Sequence, residues 1–205
     1  MKTEAWLSLF GLLTIAANLT VIGVWGVVLA SRFSEAAADL RDRVTVTFGV
    51  SGLSFAALVA AVATAGSLYL SEGAHLVPCR LCWYQRIGMY PLALILIVAA
   101  LRRDWGVKPY ALTLALLGPV VSVYHVLVEH YPSLEGAVSC DPFNPCSVNP
   151  VKGYDFVAYG FMKSIPYMAL SGFLLVATIL VVADPTDDLP DERPLGYEPS
   201  AEERR

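Results

Sequence analysis

Five long apolar stretches constrain the fold of this chain more than any other feature of its sequence. Of its 205 residues, 56% are hydrophobic, and the mean hydropathy is +0.58. A helix needs roughly 20 apolar residues to cross the hydrocarbon core of a bilayer. Continuously apolar stretches favour such helices over the alternating strands of a membrane barrel. We therefore predict an all-α membrane protein embedded in a lipid bilayer, with no nucleic-acid partner. The predicted spans are residues 5–30, 44–70, 81–101, 109–128 and 159–183.

Basic residues in the connections predict the orientation of the chain. Two connections hold three Lys or Arg each, namely Arg32, Arg41 and Arg43 before the second span and Arg102, Arg103 and Lys108 before the fourth. Residues 71–78 hold none, and residues 129–158 hold only Lys152. Cytoplasmic loops are enriched in Lys and Arg, so the two basic connections are predicted to be cytoplasmic. The amino terminus and the other two connections then face the oxidising, extracytoplasmic side of the cytoplasmic membrane.

The first stretch has two interpretations. Lys2 before it and the small residue Ala30 at its end also fit a secretory signal. The apolar core of a signal, however, runs to about 7–15 residues, whereas this stretch is 26 residues long. Cleavage would also leave Arg41 and Arg43 outside, against the charge bias. We predict that residues 1–43 form an extra transmembrane helix and a cytoplasmic loop.

The carboxyl-terminal segment has a different composition. Residues 184–205 contain eight Asp or Glu and three Lys or Arg, a net charge of −5 within a chain total of −4. The segment also holds four prolines and almost no large aliphatic residues. It buries too little apolar surface to offset the entropy of ordering, so we predict a disordered acidic cytoplasmic tail.

The four cysteines form two pairs on the outer side of the predicted membrane. Cys79 and Cys82 open the third span, and Cys140 and Cys146 lie in the long outer connection. A Cys-x2-Cys pair fits a zinc half-site, a redox pair or coincidence, and the outer pair could complete a zinc set or form a static disulfide. Two prolines with Asp and Asn between Cys140 and Cys146 indicate a turn-rich loop. Beside a membrane-embedded Cys-x2-Cys, we favour a redox role for both pairs and expect no metal.

Two polar residues within the predicted spans accompany the inner pair. Pro78 precedes Cys79, so a helix is predicted to begin at the pair, where its partial positive charge favours thiolates. Arg86 follows Cys82 by four residues and shares its helical face. A charge within a span is a functional hypothesis by default, although Arg86 could also extend to the interface. His125 is predicted at a similar depth, where an interfacial histidine is the alternative.

Four segments resemble the disulfide bond formation protein B family. The first is PCRLCWYQR at residues 78–86, which is highly specific; the others are IGMYP at residues 87–91, His125 followed by Tyr131 and Pro132, and SIPYMAL at residues 164–170. The resemblance covers about residues 44–182. The WYQR form and the short Cys140-x5-Cys146 spacing resemble the members from Gram-positive bacteria.

The resemblance implies a fold and an activity. The fold is a four-helix transmembrane bundle, here residues 44–183, with residues 5–30 as an additional helix. The activity is that of a thiol:quinone oxidoreductase. Such a protein oxidises a soluble thioredoxin-fold dithiol oxidase (DsbA-like) on the outer face and reduces a membrane quinone, menaquinone or ubiquinone. It thereby sustains disulfide formation in exported proteins.

The resemblance also implies roles for particular residues. Cys140 would receive the attack of the partner's thiolate, with Cys146 as its pair. Electrons would then pass to Cys79 and Cys82, with Cys82 adjoining the quinone. Arg86 matches the family's quinone-site arginine, and His125 matches a histidine near that site.

Two departures and two alternatives accompany this assignment. The extra amino-terminal span lies outside the four-helix pattern, and the short spacing of Cys140 and Cys146 limits how far the outer loop can swing. A vitamin K epoxide reductase-like enzyme is one alternative, but its loop pair normally precedes its membrane Cys-x2-Cys. A non-enzymatic membrane scaffold with two structural disulfides is the other, and thiol trapping distinguishes it from a catalyst.

Overall fold

Five long helices account for most of the structure. The computed structural model describes residues 2–138, 140–157 and 163–183. The helices are α1 Lys2–Ala30, α2 Glu35–Leu68, α3 Arg80–Arg102, α4 Lys108–His130 and α5 Ile165–Val182. Each contains a segment long and apolar enough to cross a membrane, as the five apolar stretches predicted. The predicted acidic tail, residues 184–205, lies outside the described residues.

Helices α2 to α5 form a closed ring. α3 packs against α2 and α4, and α5 packs against α4 and α2, so each helix contacts two neighbours. α1 lies outside the ring and packs against both α2 and α5. The prediction of a four-helix transmembrane bundle with one extra amino-terminal helix is therefore confirmed.

Small residues allow the ring helices to approach closely. Without a hydrophobic driving force between helices in lipid, close packing at small residues holds a bundle together. The ring of Phe173 on α5 packs directly on Gly118 of α4, where an added Cβ atom would lie 2.3 Å from a ring carbon. Phe173 is fully buried. Other small core residues are Ala56, Ala60, Ala93, Ala99, Ala111 and Ala115. The outer surface instead exposes large aliphatic side chains, among them Leu19, Ile22, Leu94 and Leu101.

The two ends of the bundle differ in content. At one end Lys108 Nζ donates a hydrogen bond to the carbonyl oxygen of Ala183 at 2.7 Å, joining the start of α4 to the end of α5. At the opposite end α3 and α5 begin and α4 finishes. Cys79 immediately precedes α3, and the outer cysteine pair follows α4. Both cysteine pairs therefore lie at the same end of the bundle.

Two helix boundaries differ from the predicted ones by more than one helical turn. α2 begins at Glu35 rather than at residue 44, so residues predicted as loop are helical, with an Arg43–Asp39 ion pair of 3.0 Å one turn apart. α5 begins at Ile165 rather than at residue 159. Ser164 caps that helix by accepting from Tyr167 N at 3.4 Å, and Pro166 occupies the first turn. Proline is well suited to a first turn because its missing N–H needs no partner there. Residues 159–162 lie outside the described part of the chain.

Candidate functional site

The inner cysteine pair lies at the amino-terminal end of α3. Cys79 is the capping residue of this helix, and its Sγ accepts from the backbone N–H of Cys82 at 3.4 Å. The Sγ atoms of Cys79 and Cys82 are 3.2 Å apart and share a hydrogen bond, and both cysteines are free. The prediction that the helix begins at the pair is confirmed. Both sulfurs therefore lie where the helix dipole stabilises negative charge.

His125 completes the surroundings of Cys79. Its Nε2 atom lies 3.5 Å from Cys79 Sγ, and its side chain is buried. The pKa of Cys79 is lowered from its usual 9.0 to about 4, mainly because the Cys82 thiol donates a hydrogen bond to the Cys79 thiolate. His125 and the Cys82 N–H contribute to this lowering, and burial opposes it. Cys79 is therefore the sulfur that carries negative charge at neutral pH.

The outer pair is a disulfide in a turn-rich loop. Cys140 and Cys146 are bonded, with their Cα atoms 6.1 Å apart. The loop between them is a turn in which Asp141 accepts hydrogen bonds from Phe143 N through Oδ1 (2.9 Å) and from Asn144 N through its carbonyl oxygen (3.0 Å). The turn-rich loop predicted from prolines, Asp and Asn is confirmed.

Glu135 fixes one end of the outer disulfide. Its Oε1 accepts from the backbone N–H of Cys146 and, at 3.4 Å, from that of Ser147. Its Oε2 accepts from Ser147 Oγ at 2.6 Å. Three donors converge on one carboxylate, and Cys146 itself is fully buried. The carboxylate thus holds Cys146 in place, while Cys140 is only half-buried.

The two pairs meet in one packed cluster. Buried side chains of Cys79, Leu81, Val128 and Cys146 form its centre, and the half-buried Cys82 and Cys140 pack around it. In each pair, therefore, one cysteine residue is buried within the cluster and the other is half-buried. Arg80 connects the two segments further, because its Nη1 donates to the carbonyl oxygen of Val138 at 3.2 Å. The two pairs are therefore contiguous in the folded chain.

An apolar cavity of about 320 Å³ adjoins the inner pair. Cys82, Gln85 and Arg86 of α3 line it together with Ser67 of α2. Arg86 is held in place by Ser67, to which it donates from Nε to Oγ at 3.0 Å and from Nη2 to the carbonyl oxygen at 2.9 Å. Its guanidinium also lies 5.2 Å from the centre of the Trp83 ring. A cysteine, a fixed positive charge and apolar side chains thus line the same cavity.

Arg86 and His125 lie on different sides of the thiol pair. Arg86 lines the cavity with Cys82, whereas His125 contacts Cys79 and is not one of the described residues that line the cavity. A buried hydrogen bond of 3.1 Å from Gln85 Nε2 to Ser122 Oγ joins α3 to α4. Gln85 directly precedes Arg86, and Ser122 lies about one turn before His125. The predicted similar depth of Arg86 and His125 therefore placed both residues near the sulfurs. It did not distinguish the side of the thiol pair on which each residue lies.

Several contributing residues were not identified from the sequence. Ser67, which anchors Arg86, and Glu135, which anchors Cys146, are far from their partners in the chain. Polarity was the available signal for both: a serine inside an apolar span and the carboxylate nearest the outer pair on its amino-terminal side. Phe10 and Ala17 of α1 also line the cavity, and no local pattern in the sequence indicates this.

The donor atoms of Cys79, Cys82 and His125 lie within 4.8 Å of one another. Structural zinc sites almost always use four ligands. Within the described chain this group has three members, and the sulfurs of Cys140 and Cys146 are bonded to each other. The geometry therefore suits thiol exchange better than a closed zinc centre.

Comparisons with known proteins agree with this arrangement. The family model "Disulfide bond formation protein DsbB" matches residues 51–183. "Disulfide bond formation protein C" of Bacillus subtilis (strain 168) is 41% identical over 119 residues, which cover 58% of this chain and 82% of that protein. A "Probable disulfide formation protein" of Coxiella burnetii (strain RSA 493 / Nine Mile phase I) is 41% identical over 126 residues, covering 61% of this chain and 86% of the relative.

A third relative supports the same assignment. "Probable disulfide formation protein C 1" of Bacillus anthracis is 37% identical over 116 residues, covering 57% of this chain and 79% of the relative. No solved structure matches the chain significantly. The chain belongs to the DsbB family, and its similarity to the Bacillus proteins confirms the predicted closeness to Gram-positive members. It is a multi-pass membrane protein of disulfide bond formation.

Proposed function

We propose that this member of the DsbB family is a thiol:quinone oxidoreductase. It reoxidises a soluble dithiol oxidase of thioredoxin fold, DsbA-like, on the extracytoplasmic side and passes the electrons to menaquinone or ubiquinone. Its product is a continuing supply of disulfides for exported proteins. The family match and the disulfide-formation names of its relatives support the thiol chemistry.

One observation carries the proposal: the inner thiol pair lies between the outer disulfide and an apolar cavity. Cys79 packs in one cluster with Cys146, and Cys82 lines the cavity beside Arg86. Thiol–disulfide exchange needs direct approach of sulfurs through mixed disulfides. A hydrophobic electron acceptor needs an apolar site. The inner pair therefore has a disulfide on one side and an apolar cavity on the other.

The outer pair receives the electrons. A thiolate of the partner attacks the half-buried Cys140, which breaks the bond to Cys146 and forms a mixed disulfide. The second thiolate of the partner then resolves this bond. The partner is released with its own disulfide formed, and Cys140 and Cys146 remain as thiols. Glu135 keeps Cys146 against the inner pair during this exchange.

The inner pair passes the electrons inwards. The outer dithiol reduces the Cys79–Cys82 disulfide, and the outer disulfide forms again. The sulfur pairing in the structure, with an outer disulfide and free Cys79 and Cys82, is the pairing expected at this stage. His125 Nε2 lies beside Cys79 Sγ and is placed to hold the proton that this thiol loses.

The cavity fits a quinone. Its walls are largely apolar, and its polar lining includes Cys82, Arg86, Gln85 and Ser67. These four residues would hold a quinone ring, with Arg86 stabilising negative charge near the ring oxygen. A bound quinone supplies an acceptor for two electrons and two protons, which balances the oxidation of two thiols to one disulfide.

The orientation and organisation of the chain follow the same proposal. Both cysteine pairs face the extracytoplasmic side of the cytoplasmic membrane, because the basic connections lie at the other end of the bundle. The bundle of α2 to α5 is the catalytic part of the chain, and α1 adds one span before it.

Reconstitution tests the proposed reaction. Purified protein in lipid should oxidise a reduced thioredoxin-fold oxidase only when a quinone is supplied, with one quinol formed for each partner disulfide. A control without quinone should stop after the disulfides already present in the protein are consumed. Continued turnover without an acceptor, or no oxidation with one, would contradict the proposal.

Thiol trapping separates this function from a structural scaffold. In cells, the redox state of Cys79 and Cys82 should follow the quinone supply and become more reduced when the quinone is depleted. Two bridges that stay closed under both conditions would favour the scaffold. The free inner pair in the structure is the observation that favours the catalyst.

A further inference from the structure

The additional helix α1 lines the cavity beside the inner thiols. It lies entirely outside the residues that match the family model, 51–183, and outside the ring of α2 to α5. Even so, Phe10, Leu13, Thr14 and Ala17 all line the cavity. These positions are spaced by three or four residues, so they form one face of the helix. An element additional to the bundle thus forms one wall of the proposed acceptor site.

α1 is fixed to the bundle on both sides of this wall. Towards the cysteine end, Phe10 packs on Gly66 of α2, where an added Cβ atom would lie 3.0 Å from a ring carbon. Gly66 adjoins Ser67, the residue that anchors Arg86. Towards the opposite end, Trp25 Nε1 donates to Thr178 Oγ1 of α5 at 3.1 Å. Such contacts across helices fix the depth and rotation of α1.

A polar contact also joins α1 to α5 at the cavity. Ser171 Oγ donates to Asn18 Oδ1 at 3.2 Å, and Ser171 is buried and lines the cavity. Polar residues within a span are costly unless they are paired. This pair therefore holds α1 against the bundle at the depth of the cavity.

The opposite face of α1 is directed to lipid. Ala16, Leu19 and Ile22 are exposed, whereas Thr14 and Ala17 are buried. Neighbouring residues of one helix thus have different surroundings, the cavity for Ala17 and the membrane for Ala16. Ala17 is small and lines the cavity, so a larger side chain at this position is expected to reduce the cavity volume.

We infer that α1 is a specificity-determining wall of the acceptor site and sets the size of the quinone that the site admits. The inference rests on the proposed function. A bundle of α2 to α5 alone would lack the side of the cavity that Phe10, Thr14 and Ala17 form. With α1 in place, Phe10 bounds the end near Arg86, and Ala17 bounds the cavity further along the helix.

The matched variants Ala17→Leu and Ala16→Leu test this inference. Both make the same change in the same helix, and only the first enters the cavity. The full-length protein in its oxidised state is titrated with a decyl-substituted benzoquinone, and quenching of tryptophan fluorescence gives Kd. One methylene more or less in an apolar pocket changes affinity about 10- to 200-fold. We expect Ala17→Leu to raise Kd at least tenfold and Ala16→Leu to leave it within twofold of the unchanged protein.

A second variant covers the case in which Ala17→Leu does not fold. Phe10→Ala enlarges the cavity, so it should shift the ratio of Kd values at least tenfold in favour of a two-ring naphthoquinone over the one-ring quinone. Thermal unfolding of each variant checks its fold, and thiol exchange at Cys140 should stay unchanged.

The outcomes separate the two proposals. If the unchanged protein binds the quinone but folded Ala17→Leu matches Ala16→Leu, the role of α1 is wrong and the proposed function stands. A selectivity ratio of Phe10→Ala within threefold of the unchanged protein contradicts the role of α1 as well. If the unchanged protein binds no quinone, the acceptor assignment itself fails.

Discussion

At the scale of single residues, the two sulfurs of the inner pair have different surroundings. Cys79 caps the helix and contacts His125, whereas Cys82 lines the cavity beside Arg86. The Cys79 sulfur carries negative charge, whereas Cys82 adjoins the proposed acceptor site. The two cysteines therefore have different roles in the proposed reaction. Substitutions of His125 and Arg86 test this division.

His125→Ala should raise the pKa of Cys79. In the intact protein this pKa is lowered to about 4, so the thiolate is present at neutral pH and is lost as pH falls through about 4. Removing the imidazole removes one stabilising contact of the thiolate, and the titration midpoint moves to higher pH. The titration midpoint is measured from the thiolate absorbance at 240 nm, recorded against pH in a protein that also carries Cys140→Ser and Cys146→Ser.

The control for this titration lies on the same helix. His130 is exposed and one turn beyond Val126, whose carbonyl oxygen lies 2.8 Å from its Nδ1. His130→Ala should leave the midpoint in place. An unchanged midpoint in His125→Ala would show that the Cys82 thiol and the helix terminus determine the Cys79 pKa alone.

Arg86→Met should reduce turnover with quinone while leaving the bundle folded. Methionine is apolar and unbranched and suits a helix in lipid. Losing a charge-assisted hydrogen bond costs about 1.5–3 kcal/mol, or roughly 10- to 150-fold. Steady-state kinetics with varied quinone should show this loss, and exchange between Cys140 and the partner should stay near normal. Arg86→Lys should restore only part of the activity, because an ammonium lacks the planar fork of donors.

The same substitution at the other end of α3 is the control. Arg102 lies in the last turn of the helix and is exposed, so Arg102→Met should leave the quinone kinetics unchanged. If Arg86→Met and the unchanged protein had equal quinone kinetics, Arg86 would have no role at the acceptor site. Its side chain would then only extend to the membrane interface.

Cys146→Ser, incubated with the oxidised partner oxidase, should trap a mixed disulfide between Cys140 and the partner. The Cys140 thiolate attacks the disulfide of the partner, and the outer loop then has no second thiol to release the partner from Cys140. Non-reducing gel electrophoresis followed by mass spectrometry should identify the bond. Cys140→Ser is the comparison, and full turnover by that variant would mean that the outer pair is structural.

At the scale of elements, the outer loop is held by a carboxylate rather than by secondary structure. Glu135→Ala should leave the N–H groups of Cys146 and Ser147 without their acceptor, at a cost of about 1–3 kcal/mol. Hydrogen exchange should therefore accelerate at these two amides, roughly 5- to 150-fold. Glu72→Ala, a substitution of an exposed carboxylate at the same end of the bundle, should leave both amides unchanged. Equal exchange in the two variants would contradict the anchoring role.

The start of α3 shows how an element combines fold and chemistry. Pro78 ends the preceding connection, Cys79 caps the helix, and Cys82 completes the first turn. Pattern and spacing were enough to predict this element, because helix caps depend on neighbouring residues. The start of α5 was predicted too early, since hydropathy does not distinguish an apolar connection from an apolar helix. There the local cap, Ser164 with Pro166, decides the boundary.

At the scale of the whole molecule, both cysteine pairs lie at one end of the bundle and the basic connections at the other. We predict that a membrane-impermeant thiol reagent labels both pairs after reduction in intact spheroplasts. A cysteine introduced by Arg103→Cys should be labelled only after permeabilisation, because three Lys or Arg mark each basic connection as cytoplasmic. Labelling at position 103 in intact spheroplasts would reverse the proposed orientation.

The sequence by itself determined the spans, the two pairs and their common end of the bundle. Hydropathy, helix caps and loop charges are local properties, and each acts through a few neighbouring residues. Cys79, Cys82 and Arg86 fall within two helical turns, so their proximity also followed from helical spacing.

Only the tertiary structure decided what surrounds these residues. It brought Ser67 into contact with Arg86, Glu135 into contact with the Cys146 segment and His125 into contact with Cys79. It also placed α1 against α2 and α5 as one wall of the cavity. In lipid, helices associate through close packing and a few polar contacts, since every outward face is similarly apolar. Hydropathy therefore indicates which segments cross the membrane, whereas side-chain shape decides which of them meet.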